Sequence, residues 1–253
     1  MLRFSSIIII LFLTLSSNAT SKIEKGDSAY LNNDYFTAVK IYEDIIVSEG
    51  KSSELYYNLG NAYYRLGKLG KSIINYERAL KFDPTNTDAK FNLSFVKTKT
   101  IDKEQDNGSY MEHLANVLIY GLSSNIWAVI SFILFILILL AIVVYIFSTN
   151  IIFRKIGFFG GGTIIILFII TIIFAFLSAS KMNNNRYAII LDESVMLGTM
   201  PKIPETHSEE AFLLHEGAKV EIVDSVVAFD ELWYEIKINN HIAWLKANAV
   251  ERI

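Results

Sequence analysis

The sequence predicts a membrane protein in three parts: an all-α repeat domain, a two-helix transmembrane hairpin and a small all-β domain. Three observations support this division. Residues 22–105 are polar and repeat with a period of about 34 residues. Two later runs, 126–147 and 156–178, contain no charged side chain. From residue 186 to residue 253 the pattern changes to short alternating runs, which are typical of β-strands.

The composition favours a membrane component and excludes several kinds of function. Hydrophobic residues make up 52% of the 253 residues, charged residues make up 19%, and the mean hydropathy is +0.36. These values exceed those of ordinary soluble domains. The net charge of −3 provides no general attraction to nucleic acid, which we do not expect as a partner. The chain has no cysteine, so disulfides, thiol nucleophiles and cysteine-type zinc sites are excluded.

Residues 1–19 have the pattern of an export signal. A short basic start with Arg3 precedes an apolar core from Ile7 to Leu15, and small residues up to Ala19 follow at the cleavage position. The apolar core is shorter than the ~20 residues needed to span a bilayer, which favours a cleaved signal peptide over an uncleaved anchor. In either case the residues that follow should leave the cytoplasm.

Each of the two uncharged runs is long enough to cross ~30 Å of hydrocarbon as a helix. The segment between them, 148–155, contains Arg154 and Lys155. Basic residues of short loops stay on the cytoplasmic side, so we predict that this loop is cytoplasmic. Combined with the export signal, this orientation makes both soluble domains extracytoplasmic (periplasmic) in a multi-pass protein of the inner membrane.

Gly157 and Gly161 form a G-x-x-x-G pair at the start of the second uncharged run. Small residues at this spacing let two helix backbones approach closely in lipid, so the pair is a candidate helix-packing face. The alternative is that glycine is simply tolerated in membrane helices. Neither run contains a charged residue, which disfavours a transporter of ions or protons.

The polar N-terminal part has an internal repeat. The pairs that stand one period apart include Gly26 and Gly60, Tyr30 and Tyr64, and Tyr42 and Tyr76. The stretch YYNLGNAYYRLGKLGKSIINYERALKFDP resembles the tetratricopeptide repeat, a helix–turn–helix unit that stacks on its neighbours. The resemblance implies repeats at about 19–52 and 53–86. Residues 87–99 would then be a closing helix that covers the second repeat.

Stacked repeats of this family bind peptides on the concave surface that their first helices form. By resemblance, the side chains facing this groove would be Asp27, Tyr30, Tyr57, Asn61, Tyr64 and Arg65. Such tyrosine, amide and guanidinium groups can contact apolar, backbone and carboxylate groups of a peptide. The paired basic residues of the carboxylate-clamp variant are incomplete here, which argues against capture of a C-terminal carboxylate. Alternatively, the tyrosines are packing residues.

Residues 186–253 predict about five short strands. In FLLHEGAKVEIVD two apolar runs flank a turn at Glu216 and Gly217, and Trp233 and Trp244 fall in later strands. The pattern resembles a bacterial SH3-like domain and implies a small all-β SH3-like barrel. Some members of that family bind the cell wall. We expect the two tryptophans in the core, since a barrel of ~65 residues has little else to bury.

No pattern of the sequence indicates catalysis. The four histidines do not fall into a metal-ligand spacing, and no nucleophile-elbow, Walker or dinucleotide-binding motif occurs. We therefore predict a protein that is not an enzyme and that has no catalytic residue, cofactor or metal.

The order of signal, tetratricopeptide repeats, membrane hairpin and SH3-like domain resembles the BatE-type components of the Bat (aerotolerance) system. This resemblance implies partners among membrane-anchored von Willebrand A-domain proteins, together with a cytoplasmic MoxR-type ATPase. Our leading hypothesis is an envelope scaffold, or adaptor, whose repeats bind protein partners. The alternative is a cell-wall binding or sensing protein that contacts peptidoglycan through the SH3-like domain.

Overall fold

A computed structural model provides the three-dimensional structure of the chain. It describes residues 22–103, 109–182, 186–202, 212–238 and 241–253. The predicted signal peptide, 1–19, lies outside the described residues. The chain forms two compact units. The first contains the repeat helices and the C-terminal strands, and the second contains the two long apolar helices.

Five helices build the first part of the first unit. They are α1 (22–31), α2 (Tyr35–Ser48), α3 (Ser53–Arg65), α4 (Leu69–Phe82) and α5 (Thr87–Lys97). Helix α2 packs against α3, α3 against α4, and α4 against α5. This is the helix–turn–helix stacking that the repeat period predicts.

Side-chain caps start two of these helices at equivalent positions. The hydroxyl of Ser52 accepts a hydrogen bond from the backbone N–H of Leu55 at the start of α3. The side chain of Asn86 accepts one from Ala89 at the start of α5. Each cap satisfies a backbone donor that the first helical turn leaves unpaired, a contribution of about 1 kcal/mol. The caps stand one period apart, so the repeat continues into α5.

The turns inside the two helical hairpins share one backbone geometry. Asn33, between α1 and α2, has a φ of 62°, and Gly67, between α3 and α4, has a φ of 73°. Glycine adopts this left-handed conformation without strain, and asparagine tolerates it better than most residues do. The two positions are again separated by one period.

Glycine also permits the close approach of the two helices in each hairpin. A Cβ atom on Gly26 would lie 2.5 Å from the ring of Tyr42, and one on Gly60 would lie 2.8 Å from the ring of Tyr76. Both tyrosines are buried in the core of the repeats. Any larger residue at either glycine would force the helices apart. This close contact explains why the glycine and the tyrosine both recur one repeat later.

The C-terminal part of the first unit is antiparallel β-structure. Its strands are β1 (Tyr187–Ile190), β2 (Ser194–Leu197), β3 (Phe212–His215), β4 (Lys219–Ala228), β5 (Glu231–Ile238), β6 (His241–Lys246) and β7 (Val250–Arg252). Five strands form one sheet in the order β6-β5-β4-β1-β7, and β2 pairs with β3. A backbone bridge between Gly198 and Trp244 joins the two sheets. No closed barrel is formed by the strands within the described ranges.

The two sheets enclose a small apolar core. Its buried side chains include Ile190, Leu197, Leu214, Val220, Ile236 and Leu245. Trp233 is also buried, and Trp244 is half-buried. Alternating strand residues supply this core, as expected of an antiparallel sheet with one covered face.

The second unit contains α6 (Tyr110–Leu118), α7 (Ser124–Phe147) and α8 (Ile151–Met182). Helices α7 and α8 are long and apolar enough to cross a membrane. Helix α8 begins before the predicted second run, because the side chain of Asn150 caps it by accepting a hydrogen bond from Ile152 and no glycine or proline interrupts the next turn. Arg154 and Lys155 therefore lie in the first turns of α8, and only residues 148–150 connect the two helices.

Candidate functional site

The side chains predicted to line a groove lie on the first helices of the two hairpins. Tyr30 belongs to α1, and its ring meets that of Tyr35 edge-on at 5.3 Å. The guanidinium of Arg65, at the end of α3, lies 4.8 Å from the centre of the same Tyr35 ring. Tyr35 thus joins the groove residues of neighbouring hairpins, although sequence reasoning did not select it.

Asp27 is used within the fold. Its carboxylate accepts a hydrogen bond of 2.6 Å from the hydroxyl of Tyr42 and one of 3.3 Å from the side-chain amide of Asn58. The three residues belong to α1, α2 and α3, so a single carboxylate connects three successive helices. Burial raises the pKa of Tyr42, and the hydrogen bond to Asp27 raises it further. The hydroxyl therefore stays protonated and keeps its role as donor.

Asn61 makes the same contacts one repeat later. Its side-chain oxygen accepts a hydrogen bond of 2.6 Å from the hydroxyl of Tyr76 and one of 2.9 Å from the side-chain amide of Asn92. Each member of this triad stands one period after its counterpart in the first. We call the two triads the polar ladder, which consists of Asp27, Tyr42, Asn58, Asn61, Tyr76 and Asn92. The ladder fixes the stacking of α1 to α5.

The aromatic residues beside the ladder continue into α5. The ring of Tyr64 meets that of Phe95 at 5.9 Å, and Phe91 stands one period after Tyr57. Phe91 is 72% exposed and Phe95 is 45% exposed. We call this surface the open face, and its members are Tyr30, Tyr57, Tyr64, Arg65, Phe91 and Phe95.

Sequence reasoning missed Phe91, Asn92 and Phe95 because it treated residues 87–99 only as a closing helix. The repeat period contains the signal that would have identified them. Asn58 and Asn92 are the same residue type one period apart, as are the ladder tyrosines. Helix α5 therefore occupies the place of a first helix in a third repeat, and it extends the open face.

The C-terminal strands cover the surface of α4. Glu251, on β7, forms ion pairs of 2.5 Å with Lys71 and 2.7 Å with Arg78 on α4. Arg78 also donates a hydrogen bond to the backbone oxygen of Arg252. Burial would raise the pKa of Glu251, but the hydrogen bond from Lys71 and the charge of Arg78 outweigh it and hold this pKa below its usual value.

A second carboxylate in this interface is Glu77 on α4. It pairs with Lys97 of α5 at 3.0 Å and with Lys219 of β4 at 3.2 Å. Burial opposes its ionisation, yet the two ammonium groups hold the pKa of Glu77 below its usual value. The carboxylate of Glu77 therefore links two repeat helices to the sheet.

Backbone contact completes this covered face, which we define as the surface of α4 around Gly70, Lys71, Glu77 and Arg78. A Cβ atom on Gly70 would lie 2.6 Å from the backbone oxygen of Ile190 in β1. The N–H of Gly70 donates a hydrogen bond of 2.9 Å to the carboxylate of Glu216. The sheet therefore approaches the helix backbone itself, which only glycine allows.

A further contact joins the end of the repeats to β3. The carboxylate of Asp102 accepts a hydrogen bond of 2.6 Å from the backbone N–H of His215. The imidazole Nδ1 of His215 lies 3.3 Å from the same carboxylate. The turn that follows β3 also packs on the repeats, because a Cβ atom on Gly217 would lie 2.6 Å from Thr100.

In the second unit, the predicted glycine pair faces α7. A Cβ atom on Gly157 would lie 2.9 Å from the backbone oxygen of Ala141, and one on Gly161 would lie 3.3 Å from the Cβ of Ala141. Farther along, the hydroxyl of Ser131 donates a hydrogen bond of 2.9 Å to that of Thr171. Close packing and this hydrogen bond connect α7 to α8.

Among the described residues, the side chains that lie together are of types that bind other molecules, and they do not form a reactive cluster. Within the described ranges, no three His, Cys, Asp or Glu side chains lie together in a way that could hold a metal ion. The open face instead offers aromatic rings, a guanidinium and hydroxyl groups, a combination suited to contact with another polypeptide.

Comparison with known proteins agrees with the helical stacking. No curated protein matches the chain. The tetratricopeptide repeat, a protein-interaction fold, matches at residues 53–86, which are the residues of α3, α4 and the turn after them. The match agrees with the tetratricopeptide character predicted for this stretch, and this part of the chain is similar to that repeat family.

Proposed function

We propose that the chain is a membrane-anchored scaffold whose repeats bind an extended segment of a protein partner on the open face. The observation that carries the proposal is the contrast between the two sides of the repeats. The sheet covers the surface of α4, whereas Phe91 is 72% exposed beside other aromatic residues. Large exposed apolar side chains that lie together are characteristic of binding surfaces.

The contact between the sheet and α4 also supports the proposed topology. Residues of α4 pair with Glu251, and this contact supports a topology in which the segments before and after the hairpin lie on the same side of the membrane. Two spans return the chain to the side from which it started. On this proposal the export signal makes this side extracytoplasmic (periplasmic), and segment 148–155, which includes Arg154 and Lys155, is cytoplasmic, in a protein of the inner membrane.

The partners to test first follow from the resemblance to BatE-type proteins. These are membrane proteins with a von Willebrand A-domain, whose soluble parts would share the compartment of the open face. A MoxR-type ATPase is cytoplasmic, so it would act through another component or through the short turn near Arg154. On this proposal the chain itself carries out no catalysis and needs no cofactor.

A second candidate function is binding to the cell wall through the C-terminal domain. The strand order and the bridge between Gly198 and Trp244 support an SH3-like arrangement. Burial of Trp233 argues against it as a platform for sugar rings. A pull-down with purified peptidoglycan sacculi tests this function directly. Retention of a chain that carries an altered open face would favour wall binding over the scaffold.

The decisive experiment compares two exposed phenylalanines. Phe91 is on the open face, whereas Phe36, 61% exposed, is on the second helix α2. Phe91→Ser should reduce the partner recovered by crosslinking and affinity purification from membranes several-fold, because it removes an aromatic contact from the surface. Phe36→Ser, the matched control, should leave recovery unchanged. Equal recovery with both variants would remove the open face as the binding site.

A further inference from the structure

Helix α6 has an apolar face with no role in the functions described so far. Its large apolar side chains are Tyr110, Met111, Leu114, Val117 and Leu118, which recur at helical spacing along one side. Met111 is 68% exposed and Val117 is 72% exposed. Asn116 lies on the opposite side of the helix, since it is about 160° around the helix axis from the centre of the apolar side. The helix is therefore amphipathic, and its apolar side is exposed.

Two hydrogen bonds fix the connection between α6 and α7. The indole N–H of Trp127, in the first turn of α7, donates to the backbone oxygen of Ile119 at 2.9 Å. The hydroxyl of Ser178, near the end of α8, donates to the backbone oxygen of Leu122 at 3.2 Å. The C-terminal end of α6 is therefore level with the start of α7 and the last turns of α8.

Lys181 connects α6 to the end of α8. Its ammonium donates a hydrogen bond of 3.0 Å to the side chain of Asn116 and lies 4.1 Å from the centre of the Tyr120 ring. Lysine, tyrosine and tryptophan residues are enriched where membrane helices leave the hydrocarbon. The headgroup boundary of the second unit therefore lies at the level of Lys181, Tyr120 and Trp127.

We propose that α6 lies along the membrane surface, with Met111, Val117 and their apolar neighbours in the boundary between lipid headgroups and acyl chains. The inference rests on the proposed insertion of α7 and α8, and it adds a third lipid contact to the two spans. We expect lipid to cover the apolar face of α6. The C-terminal end of this helix lies at the level where α7 starts and α8 ends, so its apolar face is continuous with the apolar surfaces of the two spans. Amphipathic helices of this kind bind in the plane of the interface.

Such a helix would give the anchor a defined orientation. The spans alone allow the chain above them to rotate and tilt, whereas an interfacial helix tied to the end of α8 restricts both motions. The absence of cysteine from the chain makes the proposal directly testable, since any introduced cysteine is the sole thiol.

The experiment uses single-cysteine variants of the full chain in phosphatidylcholine–phosphatidylglycerol nanodiscs, labelled with a small fluorophore. Met111→Cys and Val117→Cys probe the apolar face, and Asn116→Cys is the matched control on the opposite, polar face. Leu140→Cys reports the middle of α7. Quenching is measured with iodide in the water and with phospholipids brominated either near the headgroup or deep in the chain.

We expect shallow brominated lipid to quench the labels at Met111 and Val117 several-fold more strongly than the label at Asn116, and iodide to show the reverse order. Iodide quenching at all three positions alike would overturn the proposal, while deep-lipid quenching at Leu140 would leave the anchor intact. Protection of Met111 and Val117 from both quenchers would also overturn it, since protein would then cover the helix. Iodide quenching at Leu140 would overturn membrane insertion as well.

Discussion

The open face and the covered face of the repeats are built from the same helical hairpins, yet they differ in chemistry. The covered face of α4 carries charges and a glycine, and its partner is part of the same chain. The open face carries aromatic rings, and one of them, that of Phe91, is 72% accessible to solvent. The comparison indicates which surface remains for another molecule.

The difference also explains why we expect the two surfaces to bind different partners. Charged pairs such as Lys71 with Glu251 need a partner of matched charge and shape, and the chain supplies one. Aromatic rings accept a wider range of contacts and retain the capacity to bind a peptide. The polar ladder lies between the two surfaces and holds both in register.

The largest expected effect is the loss of the covered face on Gly70→Val. The new side chain would overlap the backbone oxygen of Ile190, which is 2.6 Å from the Cβ position. We expect the free energy of unfolding of the first unit to fall by about 3 kcal/mol. Thermal unfolding in detergent measures this loss, and limited proteolysis should release the C-terminal sheet.

Gly160→Ala, in α8 of the second unit, is the control for adding a Cβ atom to a helical glycine, because a Cβ atom there would meet nothing within 4 Å. Its effect should stay within about 0.5 kcal/mol. A Gly70→Val chain that unfolds and resists protease like the wild type would show that the sheet does not depend on its contact with α4.

The next effect separates the two triads of the polar ladder. Tyr42→Phe removes a donor from the charged acceptor Asp27, and Tyr76→Phe removes the equivalent donor from the neutral acceptor Asn61. We expect a loss of stability of about 2 kcal/mol for the first and about 1 kcal/mol for the second. Thermal unfolding of both variants in the same detergent provides the comparison.

Tyr35→Phe serves as the control, since its hydroxyl bonds to Asn33 at an exposed site. It should change stability by less than about 0.5 kcal/mol. If Tyr42→Phe and Tyr76→Phe lowered stability no more than this control, the hydrogen bonds of the polar ladder would not be what holds the helices in register.

A smaller effect concerns the charges of the covered face. Glu251→Gln should lower stability near neutral pH by about 1 kcal/mol or less, because its ion pairs are partly exposed. The pKa values of Glu251 and Glu77 lie below the usual 4.5 in the folded chain. Their contribution is thus complete above pH 4.5 and is lost as the pH falls through the lower, folded values.

The measurement is thermal unfolding of the wild type and Glu251→Gln at intervals from about pH 7 to about pH 3. The difference between the two chains should shrink as the pH falls below the usual carboxyl pKa. Glu231→Gln, which removes an exposed pair with Lys246, is the control and should cost less at neutral pH. A difference that stays constant down to the lowest pH would contradict the role of the Glu251 charge.

The smallest expected effect is that of Phe91→Ser on folding. Because this ring is mostly exposed, its removal should change the unfolding free energy by less than about 0.5 kcal/mol. The same variant is expected to reduce partner recovery several-fold. A large loss of stability would instead assign Phe91 to packing, and the distinction between the two faces would weaken.

Sequence patterns predict the parts of the fold that depend on contacts within one helical hairpin or on the length of one apolar run. Gly60 and Tyr76 are visible in the sequence because the close crossing of two helices in one hairpin needs both, and residues 53–86 match the tetratricopeptide repeat family. The apolar runs are equally clear, since backbone hydrogen bonding in lipid requires long uncharged helices. For the candidate site, the resemblance to the repeat family selected Asp27 and Asn61 on the first helices of the two hairpins.

Other features could not be predicted from neighbouring residues. The groove hypothesis gave Asp27 and Asn61 to a ligand, whereas both side chains bond to tyrosines and asparagines of adjacent helices. Nothing in the local sequence distinguishes a polar side chain that faces a ligand from one that bonds to the next helix. The distinction depends on how α3 and α5 stack, which is a property of the assembled repeats.

The sequence by itself determined the order of the parts, the register of the repeats and the two apolar helices, because each of these follows from periodicity or from the length of an uncharged run. The tertiary structure alone decided that the C-terminal sheet packs on α4. Lys71 and Glu251 are 180 residues apart, and the membrane helices lie between them in the chain. Charge pairing over such a separation follows no sequence period, so only the folded chain reveals which face is covered and which is open.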